Sequence, residues 1–136
     1  MAVTQAFVWP VRVYYEDTDA GGIVYYANYL KFMERARTEW LWNYGIDLRQ
    51  LASQERMIFV VRSAKLEFLQ PAHLGDALDV SVEVLRCRPA SVTLYQQVIS
   101  SEEILCTGEV RLACVESLSM RPRPLPPFIQ ERESTQ

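Results

Sequence analysis

The stretch NYLKFMERARTEWLWNYG, residues 28–45, decides the fold. Tyr29, Met33, Ala36, Trp40 and Tyr44 recur in it at offsets 0, 4, 7, 11 and 15, the spacing of one helical face. Glu34, Arg35, Arg37 and Glu39 supply most of the polar side. Asn28 is placed to cap the helix at its start and Gly45 to stop it. A short second helix is predicted around residues 48–54.

On either side of this stretch the period falls to two. Upstream, in FVWPVRVYY (7–15), Phe7, Trp9, Val11, Val13 and Tyr15 share one parity, as in a half-buried strand. Pro10 assigns that strand to an edge or an irregular start. Downstream, residues 57–69 form an extended run ended by Gln70-Pro71. In 78–88, Leu78, Val80, Val82 and Val84 alternate with Asp79, Ser81 and Glu83. Further strands are predicted at 91–100 and 104–116, joined by the short turns 88–90 and 101–103. The order is strand, helix, four strands. Hairpin-length turns make the sheet antiparallel, so the class is α+β with one central helix on a five-stranded sheet. The Pro-rich tail, 117–136, reads as irregular and frayed beyond Ile129. One helix covers one face of such a sheet and leaves its edges open, which predicts self-association into a dimer or tetramer.

A chain of 136 residues is the size of one domain and can bury a core without staples. Its net charge of −3 argues against nucleic acid as a partner, because phosphate neutralisation needs a basic surface. Cys87, Cys106 and Cys114 form no C-x-x-C pair. On one strand, Cys106 and Cys114 would lie ~26 Å apart, too far to bridge. They read as small buried hydrophobes in a reducing compartment. No secretory signal precedes Val13 and no run of 18 apolar residues exists, so the expected location is the cytoplasm.

The chemically unusual segment runs into the helix: YYEDTDAGGIVYYANY, residues 14–29. Three carboxylates, Glu16, Asp17 and Asp19, are followed by Gly21-Gly22 and then by a helix start. Two glycines permit a sharp turn and close approach of a ligand to the backbone. A helix start offers unpaired N–H groups and a positive dipole end. A carboxylate beside such donors is a minimal hydrolytic site: the donors hold an oxyanion while the carboxylate attacks a carbonyl or activates water. The same residues also read as a polar loop whose Asp side chains cap turns. The spacing Asp17-x-Asp19 is shared with haloacid-dehalogenase-type phosphatases. Those require a Thr two residues past the second Asp, where this chain has Gly21, and a domain rich in βαβ units.

VRVYYEDTDAGGIVYYANYLKFMERARTEWL (11–41), with FVVR at 59–62, PAHLGD at 71–76 and MRPRPLP at 120–126, closely resembles the hotdog-fold acyl-CoA thioesterases related to 4-hydroxybenzoyl-CoA thioesterase. The nearest branch is the Tol-Pal-associated, YbgC-type group. The resemblance covers about Val11 to Pro126 and implies a single hotdog domain over 1–136: a long helix wrapped by an antiparallel sheet, paired into dimers and often tetramers. It implies hydrolysis of acyl-CoA to acid and CoA with no cofactor and no metal. By position, Asp19 matches the catalytic carboxylate, as nucleophile or general base, and the Tyr26 N–H matches the oxyanion donor. Many members of the branch have His where this chain has Tyr26; the 4-hydroxybenzoyl-CoA enzymes have Tyr. Asp17, Gly21 and Gly22 are assigned to support of the loop.

For CoA, the resemblance puts the nucleotide end near the turn before strand 91–100, where Arg88 and Ser91 fall and Arg86 is close; Arg62 is a further candidate. A guanidinium suits phosphate through its paired donors. His73, the only histidine, reads as a loop residue and allows no multi-His metal site or nucleophile–His dyad. Tyr25, Tyr29 and Trp40 are assigned to core or subunit contacts, and Tyr25 and Tyr29 could wall the acyl pocket as well. Two other functions fit the same residues: an aromatic-CoA (hydroxybenzoyl- or dihydroxynaphthoyl-CoA) thioesterase, and a non-catalytic acyl-CoA-binding or scaffold protein. The branch's Tol-Pal association implies a peripheral link to the cell envelope or to phospholipid metabolism, which no residue in the sequence itself shows.

Overall fold

In the computed structural model, which describes residues 6–131, the helical stretch becomes α1, Asn28–Asn43. Its inward face is Tyr29, Phe32, Met33, Ala36, Trp40 and Leu41, all buried. Three details differ from the sequence reading. Ala27, not Asn28, is the N-cap, and the Asn28 amide instead donates to the Asp17 carbonyl at 2.8 Å. Arg37, placed on the polar side, is buried and bonded to Gln96. Tyr44 lies just past the helix and is 37% exposed, its ring against Trp40 and Phe128.

The helical layer holds more than one long helix. Gly45, at φ +83°, ends α1, and Asp47 starts α2, Leu48–Glu55, by accepting from the N–H groups of Arg49 and Gln50. A turn of helix, α3, follows at Pro127–Gln130. No helix among the described residues is long and apolar enough to cross a membrane.

The strands are β1 (Phe7–Arg12), β2 (Met57–Phe68), β3 (Ala77–Arg88), β4 (Ser91–Ser100) and β5 (Glu103–Glu116). They form one antiparallel sheet in the order β1-β3-β4-β5-β2. β1 is an edge, as Pro10 requires, because a proline cannot donate to a second neighbour. The other edge is β2. Leu78, Val80, Val82 and Val84 are buried under α1 with Phe32 and Met33, as the alternation in β3 predicts, but Ser81, read as outward, is buried too, its hydroxyl accepting the Gln97 N–H. β1 stops at Arg12, so Tyr15 leaves the shared parity and is 82% exposed in a 3-10 turn.

The tail has little regular structure but is not loose over its described length. Arg123 N–H bonds to Cys114 O and Leu125 N–H to Pro89 O. Leu125 and Ile129 are buried in the core, and Phe128 beside them packs its ring on Trp40 of α1. The predicted fraying beyond Ile129 falls partly on residues 132–136, outside the described ones.

Candidate active site

The carboxylate loop is a small hairpin folded against the start of α1. The Tyr25 N–H donates to Asp17 O, Thr18 and Val24 form a β-bridge, and the Asp19 N–H donates to Ile23 O. These bonds place Asp19 opposite the chain that enters the helix. Behind it, Ile23 bridges His73 and the Val24 N–H donates to Ala72 O, so the 71–76 turn backs the hairpin.

Each carboxylate in the loop is used differently. Asp17 is buried, and its side chain accepts the Tyr14 N–H at 2.8 Å while its carbonyl accepts from Tyr25 and Asn28. Its acceptors face the protein. Asp19 is exposed. One of its carboxylate oxygens accepts the Gly21 N–H at 2.9 Å, and its carbonyl accepts the Gly22 N–H at 3.0 Å. The remaining lone pairs face outward. A Cβ at Gly21 would sit 3.3 Å from that same Asp19 oxygen, closer than most such contacts. Gly22 has φ +81°, which a side chain tolerates poorly. Glu16 is exposed at the turn.

Tyr26 follows the hairpin directly and precedes the N-cap. Among the described residues, no protein acceptor meets its N–H. Its ring is 62% exposed and stacks edge-on to Phe68 at 5.9 Å. Tyr29 also reaches Phe68, at 5.6 Å, and its hydroxyl accepts the Ala72 N–H at 3.1 Å. Burial pushes the Tyr29 phenol's pKa up, with the Ala72 bond acting against it. Tyr26, Tyr29, Phe68, Leu69 and Pro71 line a cavity of about 230 Å³ at the mouth of the loop. Phe68 and Leu69 were not singled out in the sequence. Their only signal there is an apolar pair at a strand end, which core residues share.

The structure gathers Asp17, Asp19, Gly21, Gly22 and Tyr26 into one loop. It does not bring Arg62, Arg88 and Ser91 to it within the chain. Arg62 is exposed on β2, where the pairing with β5 shifts between Val61 and Ser63. Arg88 pairs with Ser91 across the β3–β4 turn, beside a cavity of about 320 Å³ lined by Cys87, Pro89 and Gln130. The carboxylate loop meets β3 at its opposite end, where the Val13 N–H donates to Asp76 O. That is on the order of 35 Å away along an extended strand. His73 is an exposed loop residue, its N–H bonded to the Asp76 carboxylate. Among the described residues no three His, Cys, Asp or Glu side chains gather as metal ligands would.

Residues 13–132 match the thioesterase-like superfamily. The chain belongs to that family. It is 46% identical over 127 residues to an acyl-CoA thioester hydrolase, YbgC, of Escherichia coli O6:H1, covering 93% of this chain and 94% of that one. A second relative, the acyl-CoA thioesterase YbgC of Haemophilus influenzae, is 40% identical over 120 residues, 88% of each chain. Among solved structures, a probable thioesterase from Bartonella henselae superposes with a TM-score of 0.85 at 34% identity, covering 90% of this chain and 100% of that one. The sheet and helices described above are thus a hotdog thioesterase fold, and the chain is a thioesterase-family enzyme.

Proposed function

We propose that this protein is an acyl-CoA thioesterase that uses Asp19 and the Tyr26 N–H, without a metal, to hydrolyse the thioester to free acid and CoA. The observation that carries the reading is the hairpin itself. It fixes an outward-facing carboxylate opposite a chain segment whose next N–H, that of Tyr26, meets no protein acceptor among the described residues. The names of the relatives supply the thioester.

The thioester oxygen accepts the Tyr26 N–H, which stabilises the charge that grows on it. As general base, Asp19 takes a proton from water as the water oxygen bonds to the carbonyl carbon. The tetrahedral intermediate then expels the CoA thiolate, which takes the proton back from Asp19. As nucleophile, Asp19 itself bonds to the carbon and expels the thiolate, and water then cleaves the mixed anhydride. Both routes need the same oxygen in the same place. Gly21 holds the other oxygen by its N–H and leaves the approach open.

Replacing Asp19 by Asn keeps the shape and removes the base. We expect thiol release to fall at least about a hundredfold, the usual contribution of a positioned proton acceptor, with far-UV circular dichroism unchanged. Turnover that survives in Asp19→Asn overturns the assignment. Binding of CoA esters by the native enzyme without thiol release favours the binding-protein reading instead.

Arg62, Arg88 and Ser91 are proposed as CoA contacts. Since Arg88 and Ser91 lie far from Asp19 in one chain, we propose that a second copy presents its β3–β4 turn to the loop. The exposed apolar side chains near the β2 edge, Tyr26, Val61, Phe68 and Leu69, support such an assembly. One specific observation favours an aromatic acyl group: the cavity that Ile23 and Val24 of the hairpin line is also walled by Tyr26, Tyr29 and Phe68. Comparing thiol release from benzoyl-type and aliphatic esters separates the two. The location proposed is cytoplasmic, where CoA esters are made and used.

A further inference from the structure

Asn28 is the first residue of α1, yet it does not cap the helix: Ala27 holds the cap position, with no side-chain bond. Asparagine is a weak helix former, and one that makes no cap gives the helix nothing in return. Its side chain points its donor out of the helix instead. The half-buried Asn28 amide donates from Nδ2 to the Asp17 carbonyl at 2.8 Å, across eleven residues of chain. Among the described residues this is the only hydrogen bond between α1 and residues 14–22, the segment that carries Asp19.

The Asp17 carbonyl accepts twice. The Tyr25 N–H reaches it at 3.0 Å from the other arm of the hairpin, and Asn28 reaches it from the helix. Between these two donors lies one turn, closed by the Asn28 N–H on the Tyr25 carbonyl at 2.8 Å. Tyr26 and Ala27 are its central residues. The turn that presents the Tyr26 N–H is thus held at both ends on a single oxygen, and that oxygen sits two residues before Asp19. The hairpin's own bonds stop at Tyr25: Asp19 N–H to Ile23 O, the Thr18–Val24 bridge, and Tyr25 N–H to Asp17 O. Beyond Tyr25 the next bond is long, Tyr29 N–H to Tyr26 O at 3.4 Å. Without the Asn28 amide, no hydrogen bond ties the helix end of the turn to the carboxylate segment.

We infer, on the reading of Asp19 and Tyr26 given above, that Asn28 is a positioning residue whose amide sets the Asp19 carboxylate against the Tyr26 N–H. Those two groups act on one thioester carbonyl, Asp19 at its carbon, directly or through water, and the N–H at its oxygen. Charge grows on that oxygen only as the carbon is attacked, so their mutual placement matters more in the transition state than in binding. Asn28 is spent on Asp17 and acts through these groups. Its loss therefore falls on kcat rather than on KM.

The test is a double-mutant cycle on thiol release from benzoyl-CoA and octanoyl-CoA, with the native protein, Asn28→Ala, Asp19→Asn and the double variant. Asn28→Ala should lower kcat at least about tenfold, the scale of a small misplacement, with far-UV circular dichroism unchanged. KM should stay within about twofold. In the Asp19→Asn background the same substitution should cost less than about threefold, because the alignment it maintains has lost one partner. Asn28→Asp keeps the size of the side chain, lacks the donor and favours a helix start. It should repeat the pattern, and it decides the matter if Asn28→Ala does not fold. An unchanged kcat, a loss carried by KM, or an equal loss with and without the Asp19 carboxylate overturns the role of Asn28 and leaves that of Asp19 standing. Undiminished turnover in Asp19→Asn, or no thiol release by the native protein, overturns the reading of Asp19 itself and the role of Asn28 with it.

Discussion

Gly21 and Asp19 form a contact in which one missing carbon matters. An added Cβ would meet the Asp19 oxygen at 3.3 Å, the same oxygen that the Gly21 N–H holds at 2.9 Å. Gly21→Ala should shift the carboxylate by a few tenths of an ångström. Since misplacement by 1 Å can cost about 10²-fold in rate, we expect kcat/KM to fall roughly tenfold with an unchanged Tm. The thiols make a second case at this scale. Burial pushes Cys106 up to about 12 and Cys114 to about 11, from an ordinary 9.0. The folded state keeps both thiols neutral where the unfolded chain ionises them. Their contribution to stability is therefore full below about pH 9 and is lost as pH rises toward 11 and 12. Urea midpoints should fall between pH 8 and pH 10.5, and less so in Cys106→Ala. Alkylation at pH 8 should label half-buried Cys87 first and reach the other two only on unfolding.

At the level of elements, α1 and the middle of the sheet approach unusually closely. Gly108 on β5 pairs with Gln96 on β4 and Leu66 on β2. A Cβ there would lie 2.9 Å from the Met33 sulfur. Beside it, Gln96 reaches up to the Met33 carbonyl and accepts from Arg37, tying helix to sheet by polar bonds through the core. Gly108→Ala should destabilise the protein by about 1–3 kcal/mol, the usual cost of overpacking, read as a lower urea midpoint at constant m. Met33→Ala in the same chain should recover part of that loss by vacating the space. Much at this scale was legible beforehand. Strand alternation in 78–88 and the helical stripe from Tyr29 to Trp40 are local periodicities, and each reappears as a buried face. Arg37 was not legible, because its charge placed it on the polar side. Only the position of Gln96 on a neighbouring strand makes its burial tolerable.

For the whole molecule, the sequence leaves open what covers a sheet with one helix on it. The edge strand β2 and the exposed Val61, Phe68 and Leu69 point to another copy. Light scattering at micromolar concentration should give a dimer or tetramer; a mass of 15.7 kDa contradicts it. Val61→Lys, a charge placed at that edge, should lower the mass if β2 carries the contact. By itself the sequence determined the α+β class, the element order and the carboxylate loop, because periodicity, turn residues and the D-x-D-x-x-G run are local properties of the chain. The tertiary structure alone decided that Asp17 turns inward while Asp19 faces out. It also decided that Phe68 and Leu69 frame the same cavity as Tyr26, that the Arg88–Ser91 turn lies at the far end of β3, and that Arg37 is buried. Each of these depends on which distant segments pack together, and one strand's neighbours are set by the pairing of the whole sheet rather than by its own residues.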